Sequence, residues 1–120
     1  MPKTASKKTI EKKLDKAWSR AILSKGRCEV DGSTQSLNAH HIVGRRNLAL
    51  RWDLRNGVCL SAGYHVFRTQ SAHQDPIWFY NWLKENRRED LEYLESKQNS
   101  IVKWTVEDLL NKLSELEQCK

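Results

Sequence analysis

All four histidines of this chain, His40, His41, His65 and His73, fall in one central stretch of its 120 residues, where helical periodicity is lost. The flanks are different. Upstream, Ile10, Leu14, Ala17, Trp18, Ala21 and Ile22 recur at helical spacing with lysines between them, and Gly26 marks the stop. Downstream, Asp75-Pro76 reads as an N-cap with proline at the first helical position. The apolar stripe Trp78, Phe79, Trp82 and Leu83 follows it. Leu91, Tyr93 and Leu94 continue that helix or begin another after Arg88. Thr105 with Asp108 resembles a capping box ahead of Leu109, Leu110, Leu113 and Leu116. A polar, histidine-bearing centre between helical flanks is an α+β arrangement. At this length it forms one domain.

Within the centre, residues 28–36 are turn-rich around Asp31-Gly32-Ser33. Leu37 to Val43 predicts a short strand, and Leu50 to Leu54 a second extended segment. Asn56-Gly57 before Val58-Cys59-Leu60 is a strong hairpin signal, and Ala62 to Thr69 suits a short helix. The organisation expected is a flexible basic tail over 1–8, a basic helix over 9–26, a central core over 28–75 and C-terminal helices over 76–120.

Charge is uneven. Residues 1–27 carry nine Lys/Arg against two acids (+7), residues 28–75 are nearly balanced (+1), and residues 76–120 are slightly acidic (−2). A basic segment of this kind is a candidate electrostatic footprint on nucleic acid, or a solvated helix face. No apolar run approaches the roughly 20 residues of a membrane span, and no secretory signal precedes the first helix. Three cysteines, Cys28, Cys59 and Cys119, are too few for a disulfide framework and point to a reducing, intracellular compartment.

Neighbouring residues on a strand face opposite ways, so His40 and His41 can take different tasks. An imidazole with a pKa near 6.5 can take a proton from water at neutral pH. A strand histidine and one from a facing element can hold a metal ion that stabilises a leaving oxygen. Fourteen residues separate His41 from Asn56, and eight separate Asn56 from His65. The set Ala39-His40-His41-Ile42-Val43, Arg55-Asn56-Gly57-Val58 and Tyr64-His65 resembles the HNH (ββα-metal) endonuclease motif, in its small phage-type form. The likeness covers about residues 28–83.

The resemblance implies a ββα-metal core and a metal-dependent endonuclease that cuts double-stranded DNA to a 3′-hydroxyl and a 5′-phosphate. It implies His41 as general base and His40 and His65 as ligands of one divalent metal (Mg, Mn, Ni or Zn). Asn56 would brace the loop that orients His41. His73 is either a third ligand, from the loop before Asp75, or a DNA contact. Asp53 is a candidate second-sphere carboxylate. Arg45, Arg46, Arg51, Arg55 and Arg68 are candidate phosphate contacts. Many relatives clamp a structural zinc with two Cys-x-x-Cys pairs. Here those positions read Cys28-Glu29-Val30-Asp31 and Ser61-Ala62-Gly63-Tyr64, so no structural zinc is expected, since such a site needs four good ligands. Trp52, Tyr64, Phe67, Trp78 and Trp82 are the material expected to replace it. Double-stranded DNA is the expected partner, with no membrane association and with a homodimer or a larger phage protein as further options. The competing readings are a non-catalytic DNA-binding module that keeps the HNH shape and a zinc-ribbon-like interaction protein.

Overall fold

A computed structural model describes residues 6–118. In chain order it contains α1 (Lys7–Leu23), β1 (Leu37–His41), β2 (Gly57–Ser61), α2 (Pro76–Asn86), α3 (Arg88–Lys97) and α4 (Val106–Glu117), with single turns at Leu54–Asn56 and Gly63–Phe67. The fold is α+β, with one two-stranded antiparallel sheet. No helix among the described residues is long and apolar enough to cross a membrane.

The caps account for the helix ends. Ser6 Oγ accepts from Thr9 N–H, so α1 starts at Lys7 and ends at Leu23 instead of running over 9–26, and the rest of the expected tail, residues 1–5, lies outside the described residues. Cys119 also lies outside them. Asp75 Oδ1 accepts from Trp78 N–H at the start of α2, and Thr105 with Asp108 forms a complete capping box on α4. A break at Arg87 separates α2 from α3.

The sheet lies between two layers. Alternate residues of each strand face opposite ways. Cys59 and Ala39 pack against Ile10, Leu14, Trp18 and Ile22 of α1 and Leu109 and Leu116 of α4. Val58 and Leu60 pack with Cys28, Phe79 and Leu83 and with Leu91 of α3.

Three expectations for the centre are corrected. Leu37–His41 pairs with Gly57–Ser61, His41 lying opposite Gly57, so the connection is a long loop and Asn56-Gly57 is no tight turn. Gly57 is extended (φ −118°) and does not need glycine for its backbone. It needs glycine for space, because a Cβ there would lie 2.2 Å from Ile22 Cδ1 and 2.8 Å from Trp18 Cζ2. The segment 50–54 is a run of turns, since its carbonyl of Leu50 is spent on Asn56 and Asp53 instead of a strand partner. The helix expected over 62–69 shrinks to one wide turn closed by Arg68 N–H on Gly63 C=O (2.8 Å). Phe67 leaves that turn 81% exposed, so it contributes nothing to the core, whereas Trp52 is fully buried and Tyr64 stacks on Trp78.

The turn bearing Cys28 is held by Cys28 N–H to Ser33 C=O, Gly32 N–H to Cys28 C=O and Ser33 N–H to Asp31 Oδ1. Gly32 takes a positive φ of 76° there, which a glycine adopts at no steric cost. Cys28 is buried in the α2 layer, and Cys59 in the α1 layer.

Asp15 on α1 joins the long loop to the helical layer. It accepts from Arg51 Nε (3.1 Å) and Nη2 (2.8 Å), from Trp52 Nε1 (2.9 Å) and from Arg45 Nη2 (2.8 Å). Burial alone would raise its pKa, but these hydrogen bonds and the arginine charges outweigh it and hold the carboxyl below its ordinary value. A carboxylate depressed in the folded state stabilises the fold above its unfolded pKa of about 4, and the contribution is lost as pH falls through the lower folded value. Asp15→Asn should therefore cost about 1–3 kcal/mol at pH 7. Its thermal midpoint should converge on that of the unsubstituted protein as the buffer is taken below about pH 4. A gap that stays constant into acid would remove Asp15 from this role.

Candidate metal and base site

His40 and His41 do face opposite ways. His40 turns toward α2, its ring edge-on to Phe79 at 5.1 Å between centroids, and meets His65 (5.1 Å) and His73 (5.0 Å). The wide turn carries His65 to this point. His73 arrives because the chain doubles back, with Ala72 N–H on Tyr64 C=O (2.8 Å) and His73 N–H on His65 C=O (3.1 Å). One ring nitrogen from each of the three histidines lies within 4.8 Å of the others.

The tautomers suit ligation. Asn38 Oδ1 accepts from His65 Nδ1–H at 2.9 Å, which leaves the His65 Nε2 lone pair directed at His73 Nε2, 3.0 Å away. Two ligands about 2.0–2.1 Å from one zinc ion lie at roughly that separation. Burial, then repulsion from His65, His73 and His41, pushes the His40 imidazole down to about 3. Burial, then His73, lowers His65 as well. Neutral imidazoles are the form a metal binds.

His41 turns toward α1. Its imidazole stacks on the Trp18 indole, and its Nε2 lies 2.9 Å from Arg51 C=O. A carbonyl only accepts, so Nε2 carries the proton and Nδ1 keeps the lone pair. Burial holds the pKa of His41 below the ordinary histidine value, against the opposing effect of the Arg51 hydrogen bond. Asn56 is fully buried and reaches no solvent. Its Oδ1 accepts from Val43 N–H (2.7 Å), and its Nδ2 donates to Val43 C=O (2.9 Å) and Leu50 C=O (3.0 Å). It thus clamps both ends of the loop that presents the Arg51 carbonyl to His41, and it acts through position alone.

His40, His41, His65 and His73 share one pocket of about 530 Å³ with Ala39, Gly44, Arg45 and Arg46. The other three arginines are placed differently. Arg51 is largely buried in its ion pair with Asp15. Arg55 is paired with Asp90 (2.7 Å) and lies over the Tyr93 ring. Arg68 lies over the Tyr64 ring, outside the pocket lining. The Asp53 carboxylate caps the Leu54–Asn56 turn and accepts from Tyr93 Oη, and it is hydrogen-bonded to no histidine. Sequence reasoning missed Asn38, Asp15 and Trp18 as partners of the site. Asn38 alone carried a local signal, two residues before His40 on the same strand face.

No protein-family model matches the chain, and no curated protein or solved structure shows significant similarity to it.

Proposed function

We propose that this chain is a metal-dependent DNA endonuclease with an HNH-type ββα-metal core, using His41 as general base and a divalent cation held by His40, His65 and His73. The observation that carries the reading is the convergence in one pocket of a singly tethered imidazole, a three-imidazole ligand set and the guanidinium groups of Arg45 and Arg46. The resemblance of the His-His, Asn-Gly and His spacings to the HNH motif supports it.

His41 Nδ1 accepts the proton of the attacking water. The Nε2–H bond to Arg51 C=O fixes the ring during that step and stabilises the imidazolium that forms. Arg45, 60% exposed and the outermost of the groups on Asp15, offers phosphate oxygens a forked donor, and the exposed Arg46 a second one. The bound cation supplies Lewis-acid stabilisation of the phosphate charge and of the leaving oxygen. Three neutral nitrogen donors favour Zn(II) or Ni(II) over Mg(II), which prefers oxygen ligands. On α1, Lys8, Lys12, Lys16 and Arg20 form an exposed stripe at four-residue spacing, suited to a duplex backbone.

Supercoiled plasmid incubated with the protein and EDTA, Mg, Mn, Ni or Zn tests the reading. Metal-dependent conversion to open circles supports it, and linear product needs a nick in each strand, from a dimer or from successive turnovers. DNA binding without conversion under any metal would replace it with the non-catalytic module. Calorimetric titration with zinc should show that His40→Ala, His65→Ala and His73→Ala each weaken binding by at least about 10–100-fold, the scale set by outer-sphere partners alone. Unchanged affinity in all three would dismiss the ligand set.

A further inference from the structure

We propose that Trp18, on the basic helix outside the histidine-bearing segment, is the positioning residue of the His41 base. The inference rests on the reading of His41 as base, but its geometric half can be tested without it. The indole and imidazole planes are 10° from parallel, with centroids 3.8 Å apart. The indole is itself immobilised, because it is buried and its Nε1–H donates to Asp53 C=O at 2.9 Å.

The sheet makes room for the stack. Gly57, directly across the sheet from His41, is the one position where a Cβ would run into Trp18 and Ile22. The missing side chain is thus the space through which α1 approaches the strand end and lays the indole on the imidazole.

A single hydrogen bond does not fix a histidine ring. Its terminal torsion is broad, and rotation about it carries Nδ1 out of the pocket and Nε2 off the Arg51 carbonyl, so the tautomer is then no longer fixed. A flat indole on one face blocks that rotation, because the ring edge would strike the indole. The Arg51 bond then sets the tautomer and Trp18 sets the plane. Holding the ring plane acts on the reacting state and not on DNA affinity, so it bears on kcat and not KM.

The test compares Trp18→Phe, which keeps a flat ring, with Trp18→Met, whose flexible side chain fills the space without one. With the metal that supports plasmid nicking, Trp18→Met should lose about 100-fold in kcat, the scale of a small misplacement of a reacting group, with KM for DNA within about twofold. Trp18→Phe should recover most of the loss. Imidazole nitrogen NMR should show His41 as a single Nε2–H tautomer in the unsubstituted protein and in Trp18→Phe, and as a mixture in Trp18→Met. Ring-current-shifted His41 protons are expected in the unsubstituted protein. Unshifted protons would refute the stack without any variant. A kcat that follows the denaturation midpoint across the two variants, with the His41 tautomer unchanged, would reduce Trp18 to a core residue. Loss of the nuclease reading looks different: no metal would then support nicking, or His41→Ala would leave it untouched, while the spectra still decide whether Trp18 orients the ring.

Discussion

Replacing His41 with alanine is expected to lower metal-dependent nicking by about 10²–10⁴-fold, the range that a positioned general base contributes. DNA affinity should be retained. The phosphate contacts assigned here come from Arg45, Arg46 and the lysines of α1, and none depends on the imidazole. Metal affinity should also be retained, because His41 faces α1 while His40, His65 and His73 meet on the other side of the strand. The variant loses a stacked ring and one hydrogen bond, so a stability cost of about 1–2 kcal/mol is expected and the fold should survive. Gel shift, zinc titration and plasmid nicking on one preparation separate these quantities. Nicking that persists in His41→Ala would remove the base assignment, whatever the metal does.

The second large effect is on folding. Asn56→Ala removes three hydrogen bonds at a fully buried position; it strands Val43 N–H and Val43 C=O and leaves Leu50 C=O with Asp53 N–H alone. Unsatisfied buried polar groups cost about 1–3 kcal/mol each, and water entering the space left by the amide recovers part of that. A loss of about 3–5 kcal/mol is the expected result, read as a lower urea midpoint with little change in slope. Asn56→Asp should do no better. It restores the acceptor for Val43 N–H but sets a carboxylate oxygen against two carbonyls, and it buries a charge. Nicking should fall with stability in both variants, which separates them from His41→Ala. An Asn56→Ala protein as stable as its parent would mean that the loop closes without the clamp.

Much of this architecture is local and legible in the chain. The helices over 76–86 and 106–117 follow from apolar spacing and from caps at Asp75 and Thr105, which act within three residues of themselves, whereas α1 follows from apolar spacing alone and its Ser6 cap falls in what reads as a tail. The hairpin is less legible. Asn56-Gly57 reads as a turn because that dipeptide suits one. Here the asparagine is a buried clamp, and the glycine makes way for a helix far upstream in the sequence. The arginines show the same limit. Arg51 and Arg55 look like free cations beside the histidines, but their carboxylate partners lie 36 and 35 residues away. No local pattern reports such a pairing.

The sequence by itself determined the α+β class, the existence and approximate span of the flanking helices and the adjacency of two histidines on one strand, because each follows from interactions among near neighbours. That adjacency already required the two rings to face opposite layers. Only the tertiary structure decided what each ring meets: Trp18 and the Arg51 carbonyl for His41, and His65, His73 and Phe79 for His40. Those contacts depend on which distant segments the two cores bring to the end of one strand, and burying apolar surface on both faces of a two-stranded sheet is the physical force that brings them there.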